Sequence, residues 1–143
     1  MKIFSPSGSF ELSILGYGSE VTNWHERNKL LCRFSTKWRQ QADSQSLPLK
    51  RWEVKRLLNG LRSLWSRAVN HVDFTFPEPG LSVEATALPN ESYQVQIQLD
   101  HALTPSWNTY PDFPVELNML LDRAQLQEVI QDLSGELASY PER

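Results

Sequence analysis

From Val72 to Leu121 the chain returns again and again to an apolar residue at every second position, and that pattern limits the fold more than any other feature. Successive side chains of a strand point to opposite faces, so alternation of this kind means one buried face and one wet face. Val72, Phe74 and Phe76 alternate with Asp73 and Thr75 before Pro77-Glu78-Pro79-Gly80 breaks the strand. Leu81, Val83, Ala85 and Ala87 alternate with Ser82, Glu84 and Thr86; Tyr93, Val95, Ile97 and Leu99 alternate with Gln94, Gln96 and Gln98. Phe113, Val115, Leu117, Met119 and Leu121 complete the series. Near the N-terminus Phe10, Leu12 and Ile14 read the same way, and a partner strand is expected from Asn28 to Lys37.

Two segments follow a different period. Between Pro48 and Val69, Val54, Leu57, Leu58, Leu61, Leu64, Trp65 and Ala68 fall within a sector about 120° wide at ~100° per residue, the stripe of an amphipathic helix. Gly60 interrupts it at an expected cost of about 1 kcal/mol relative to alanine, which implies a local packing reason. From Arg123 to Tyr140, Leu126, Val129, Ile130, Leu133 and Leu137 form a second stripe; Asp122 and Gln125 have capping-box spacing at its start, and Pro141 stops it. The predicted architecture is therefore α+β in the order ββαββββα: one antiparallel sheet of about six strands with two amphipathic helices on one side. With 143 residues, one domain spanning 1–143 suffices.

Charge is divided unevenly along the chain. Residues 1–71 carry 12 Lys/Arg against 5 Asp/Glu, and residues 72–143 carry 2 against 12, which together give the net −3. Such a division concerns fields and partners rather than fold. No apolar stretch of roughly 7–15 residues follows a basic start, as a signal peptide would need, and no run approaches the ~18 apolar residues of a membrane span. Cys32 is the single cysteine, so an oxidising compartment is not implied and a cytoplasmic location is expected, with no membrane partner.

Residues with chemical potential are scattered. His25, His71 and His101 belong to no metal-binding spacing, Cys32 reads as a buried inert thiol, and no glycine-rich phosphate loop or nucleophile elbow is present, so no cofactor and no enzymatic activity are expected. Glu78, Glu84, Asp100 and Glu116 could pair as acid and base, but a solvated sheet face accounts for all four. Arg51, Lys55, Arg56, Arg62 and Arg67 make one surface of the first helix basic. Trp52 lies within that surface, in the first turn, where the incoming chain can cover it and make it a structural cap. Trp24, Trp38 and Trp107 are read as plugs at the edge of the core and Trp65 as core.

The order of several short motifs resembles the WapI-type immunity family, small proteins encoded beside the toxic C-terminal domains of bacterial contact-dependent and polymorphic toxins. The matching residues are Phe10-x-Leu12-x-Ile14-x-Gly16-Tyr17, Asn23-Trp24, Trp52-Glu53-Val54, Phe76-Pro77-Glu78-Pro79-Gly80-Leu81, Thr104-Pro105-Ser106-Trp107 and Tyr140-Pro141-Glu142-Arg143. One departure is the His25-Glu26-Arg27-Asn28 segment between Trp24 and the second strand. The resemblance implies a protein that neutralises one cognate toxin domain by binding it, the family's toxins often being nucleases that act on RNA, and it implies no catalytic residues.

A nuclease presents a basic cleft to phosphate, so an inhibitor can exploit that field with carboxylates. The expected toxin-facing surface is the outward row of the second-half strands: Asp73, Glu84, Gln96, Gln98, Asp100 and Glu116. The alternative is a nucleic-acid-binding or regulatory module that works through the helix face around Trp52, Lys55, Arg56 and Arg62. The acidic second half disfavours nucleic acid as a partner, and the oligomeric state is left open.

Overall fold

A computed structural model describes residues 1–6, 8–18, 28–108 and 114–143. Among the described residues there are eight strands rather than six. They run β1 (Lys2–Ser5), β2 (Gly8–Tyr17), β3 (Lys29–Trp38), β4 (Gln41–Lys50), α1 (Arg51–Trp65), β5 (His71–Phe76), β6 (Leu81–Ala87), β7 (Ser92–Leu99), a 3-10 turn (His101–Leu103), β8 (Val115–Asp122) and α2 (Arg123–Ala138). The strands form two antiparallel four-stranded sheets, β1-β2-β3-β4 (sheet A) and β5-β6-β7-β8 (sheet B), so the unit ββββα occurs twice. The expectation of a single sheet is corrected accordingly.

The inner faces are the apolar ones that the alternation marked. Across sheet B the register sets Phe74, Val83, Ile97 and Leu117 in one buried row and Phe76, Leu81, Leu99 and Val115 in the next. In sheet A, Phe10, Leu12, Ile14, Leu30, Cys32 and Phe34 fill the equivalent surface. Both helices close over these faces. Val54, Leu57, Leu58, Leu61 and Leu64 of α1 are buried, as are all five predicted stripe residues of α2. The helices bridge the sheets, since α1 touches β4, β5 and β6 while α2 touches β1, β2, β7 and β8, and the buried apolar residues form one continuous cluster.

Helix ends differ modestly from expectation. The first helix starts at Arg51, because residues 41–50 pair with β3 as an edge strand; the second ends at Ala138. Ala68, assigned to the apolar stripe, lies beyond the end of α1 and is exposed, and Trp65 is half-buried at the edge of the core. The capping box at α2 is present: Gln125 N donates to Asp122 Oδ1 at 2.7 Å and Asp122 N donates to Gln125 Oε1 at 2.8 Å. Gly60 has its packing reason. A side-chain carbon at this position would press into the Phe74 ring, so glycine permits α1 to approach β5.

The two helices are also tied to each other. Trp65 Nε1 donates to the Arg123 carbonyl at 3.1 Å, Arg123 Nη1 donates to the Trp65 carbonyl at 3.1 Å, and the guanidinium lies 3.9 Å over the indole ring. A bulge between Ile14 and Gly16 leaves Leu15 outside and turns Tyr17 inward opposite Leu30, where strict alternation would send it outward. There Tyr17 meets Tyr140 edge to face at 5.5 Å and donates to the Pro141 carbonyl at 2.6 Å, closing the end of the chain against sheet A.

Candidate partner-binding faces

Because the helices occupy the inner faces, the outer face of each sheet is left to solvent. On sheet B the register aligns Asp73, Glu84, Gln96 and Asn118 across the four strands, with Thr75, Ser82, Gln98 and Glu116 in the row beside them. Five of the six residues expected to face a toxin therefore share one surface. Asp73, Thr75, Ser82, Glu84, Gln96 and Gln98 line a shallow depression of about 170 Å³. Gln98 Nε2 donates to Glu116 Oε1 at 2.7 Å, and His71 approaches Glu84 at 3.6 Å while its Nδ1 lies 2.8 Å from Thr86 Oγ1. Leu120, 60% exposed, is the large apolar residue on this acidic, amide-rich surface.

Asp100 is the exception and is corrected. The strand ends at Leu99, and the Asp100 carboxylate turns to cap the 3-10 turn, accepting from the His101 backbone N–H at 2.8 Å. Its backbone N–H is held by the Gly80 carbonyl, and a side-chain carbon on Gly80 would collide with the Asp100 carbonyl. The four carboxylates weighed as acid–base partners are dispersed: Glu78 is in the β5–β6 turn, Asp100 is in its cap, and Glu84 and Glu116 are separated by β7.

The basic face of α1 is largely engaged within the fold. Arg51 Nε donates to the Tyr140 carbonyl at 2.8 Å and Arg62 Nη2 to Ser134 Oγ at 2.9 Å, while Arg56 lies 5.5 Å over the Phe74 ring. Arg67, expected on this face, lies beyond the end of α1 and donates through Nη2 to the Leu88 carbonyl at 3.0 Å. Lys55 is exposed. Trp52 is 59% exposed, not covered by the incoming chain, with Lys50 Nζ 6.0 Å from its ring. Trp38 and Trp107 pack on the edge of the core as expected; Trp24 and His25 lie outside the described residues.

Sequence reading assigned no role to the outer face of sheet A, which is basic. Lys2, Lys29, Arg33, Lys37 and Lys50 occupy outward positions with Glu11 as the one acidic residue among the described strands, and Phe4 stands 61% exposed beside them. The signal was available: Arg33 and Lys37 alternate with Cys32, Phe34 and Thr36, which are buried. Cys32 itself is inert, its thiol pushed up to about 12 chiefly by burial and secondarily by the charge of Glu136. Among the described residues no three His, Cys, Asp or Glu side chains are grouped to hold a metal, and no helix is long and apolar enough to cross a membrane.

A cavity of about 730 Å³ opens where Pro48 and Leu49 of β4 face Pro77, Glu78, Pro79 and Ala102. The β7–β8 connection is pinned next to it: Gln45 Nε2 donates to the Thr104 carbonyl at 3.0 Å and Ser106 Oγ to Asp43 Oδ1 at 3.0 Å. Residues 2–141 match the sequence profile described as the Immunity protein WapI-like family. The chain belongs to this family. Of the motifs that carried the resemblance, those near the two ends of the sequence meet in the Tyr17–Tyr140 contact, Trp52-Glu53-Val54 opens α1, and the other two described ones form the Pro77–Gly80 turn and the pinned 104–107 segment. Asn23-Trp24 lies outside the described residues.

No curated protein matches the chain in sequence. In fold it is similar to a chain from the crystal structures of Trypanosoma bruciei MRP1/MRP2, with a TM-score of 0.50, 12% identity and coverage of 91% of this chain and 84% of that one. It is also similar to a chain from the structure of a guide-RNA-binding protein complex bound to a gRNA, with a TM-score of 0.48, 13% identity and coverage of 90% and 89%.

Proposed function

We propose that this WapI-like protein is an immunity protein that binds and neutralises the C-terminal domain of a cognate contact-dependent or polymorphic toxin, a nuclease, in the cytoplasm of the producing cell. It acts stoichiometrically and not as an enzyme. The observation that carries the reading is the outer face of sheet B, within a chain that matches an immunity family from residue 2 to 141. Asp73, Glu84 and Glu116 give that face negative charge, and Gln96 and Gln98 give it amides that can both donate and accept. A basic nuclease cleft is complementary to such a surface, which speeds encounter and rejects acidic partners. Behind the face, Gly60 lets α1 close on Phe74 of β5, and the Trp65–Arg123 bonds tie α1 to α2, so the sheet is braced without its outer side being occupied. Rigidity limits the ordering cost of association.

The experiment is co-expression with the toxin domain encoded immediately beside this gene. A stable one-to-one complex and survival of cells expressing the toxin domain are the expected outcome. Absence of both binding and protection would sink the proposal.

A further inference from the structure

The outer face of sheet A has charge and shape that immunity through sheet B does not use. Its outward positions hold Lys2, Arg33 and Lys37 on β1 and β3, and among the described residues no ion pair engages Arg33 or Lys37. Lys2 makes only a loose pair with Glu11 at 4.0 Å. Arg33 and Lys37 stand four residues apart on one strand, hence about 13 Å apart along it. Phe4 lies in the same cross-strand row as Ser9 and Lys37, its ring open to solvent. Between the cations stand the small hydroxyl residues Ser13, Ser35, Ser44 and Ser46 and one carboxylate, Glu11, to which Ser13 Oγ donates at 2.7 Å. Ser35 and Ser44 are bonded to each other at 3.2 Å, and three outward cations against this one carboxylate leave the face net positive.

We infer that this face binds single-stranded nucleic acid, with Lys2, Arg33 and Lys37 on phosphates and the Phe4 ring stacking on a base. Cations that track a backbone beside an exposed aromatic ring are the elements of strand recognition without sequence readout. Shape selects the single strand over a duplex. Four strands at ~4.8 Å spacing make a face about 14 Å across before side chains are added, too broad to enter a major groove about 12 Å wide. Sheet B, with carboxylates in the equivalent rows, repels phosphate and confines the contact to one side of the molecule. This binding is separate from toxin neutralisation, and either can fail without the other.

The test is a fluorescence-anisotropy titration of the full chain against a labelled mixed-sequence single-stranded RNA of about 20 nucleotides, longer than the ~4–16-nucleotide sites of comparable faces. Three phosphate contacts predict a log–log salt slope near −2, so affinity should fall roughly 20-fold between about 50 and 200 mM salt. Phe4→Ala should weaken binding roughly fivefold or more. The Arg33→Glu/Lys37→Glu variant should lose more than that, and the milder Arg33→Gln/Lys37→Gln variant should fall between, with unfolding midpoints unchanged for both. No binding at the lowest salt, equal binding of a duplex, or loss through Lys55→Glu/Arg56→Glu while the sheet variants bind normally would each overturn the inference. Displacement by polyglutamate as effective as by unlabelled RNA would also overturn it, in favour of an acidic protein surface.

Discussion

Sheets A and B are built alike inside and oppositely outside. Each is four antiparallel strands whose helix-covered inner residues are apolar, with β4 turning the polar Asp43 and Gln45 inward toward the 104–106 connection. Each unit ends in a helix, and the two helices bridge both sheets. Outside, A presents Lys2, Arg33 and Lys37, whereas B presents Asp73, Glu84 and Glu116 in rows of glutamine. Burial constrains the inner faces to one chemistry, because any strand that must meet a helix needs apolar side chains there. The outer faces meet no such demand. Their difference in sign is therefore not set by packing, and it is the chain's division into a basic and an acidic half seen in three dimensions.

The likeness of the inner faces can be broken at Gly60. Overpacking a core costs roughly 1–3 kcal/mol, and a methyl group here meets the Phe74 ring well inside van der Waals contact, which places it at the upper end. Subtracting about 1 kcal/mol of helix propensity gained by alanine leaves a net loss of about 2 kcal/mol for Gly60→Ala. A urea midpoint lowered at unchanged slope would show it. Phe74→Leu in that background should restore part of the loss, since neighbours in contact couple; an additive double mutant would disprove the ring contact.

The contrast between the outer faces is removed by making both basic. Asp73→Lys/Glu84→Lys/Glu116→Lys should slow association with a basic toxin about tenfold or more and flatten its salt dependence. Stability should stay within about 0.5 kcal/mol, because all three side chains are exposed. Stopped-flow rates at two salt concentrations decide it. An unchanged rate would transfer the toxin interface to another surface.

How much of this was legible depended on where a strand sits. The four strands of sheet B and both helix stripes were readable because their faces meet the core along most of their length: Leu81–Ala87 was read to the residue. β4 was invisible for two physical reasons. Its inward positions Asp43 and Gln45 are polar because they meet the 104–106 connection and not a helix. Its hairpin turn uses Arg39 and Gln40 at φ of 50° and 68°, a left-handed pair usually signalled by Asn-Gly. β1 is only four residues, too short for alternation to register. At the candidate site, alternation found five of six sheet B residues and failed at Asp100, where the strand has ended but the pattern has not. The basic face of sheet A was half legible: Arg33 and Lys37 alternate along the strand expected from Asn28 to Lys37, but Lys2 and Phe4 lie on the short β1, and without β1 and β4 that strand had no sheet on which to place a face.

A smaller effect is expected where sheet A is fastened to the end of the chain. Tyr17→Phe removes the 2.6 Å hydrogen bond to the Pro141 carbonyl but keeps the edge-to-face contact with Tyr140. The loss should be about 0.5–1 kcal/mol, the net worth of one neutral hydrogen bond at a partly wet site. Because α2 follows sheet B, a loss confined to protection of the β2–β3 amides in hydrogen exchange would show that the clasp serves sheet A alone. Loss spread over both sheets would show that it couples them.

The inner face of sheet A buries a thiol, Cys32, whose contribution to stability does not vary with pH near neutrality. Cys32, fully buried on β3, has its thiol pushed up to about 12, mainly by burial, from an ordinary value of 9.0. Between those values the unfolded chain loses the Cys32 proton while the folded one keeps it. Stability from this group is therefore complete below pH 9.0 and declines as pH rises toward 12. The slope approaches about 1.4 kcal/mol per pH unit at most. Comparing wild type with Cys32→Ala isolates this contribution from every other alkaline titration. The alanine variant should be less stable at pH 7, through the small cavity it leaves, and the gap between the two proteins should narrow above pH 9.0. Parallel stability curves through pH 11 would mean that the thiol ionises as easily in the folded protein as in the unfolded chain, and that sheet A's interior admits water where Cys32 sits.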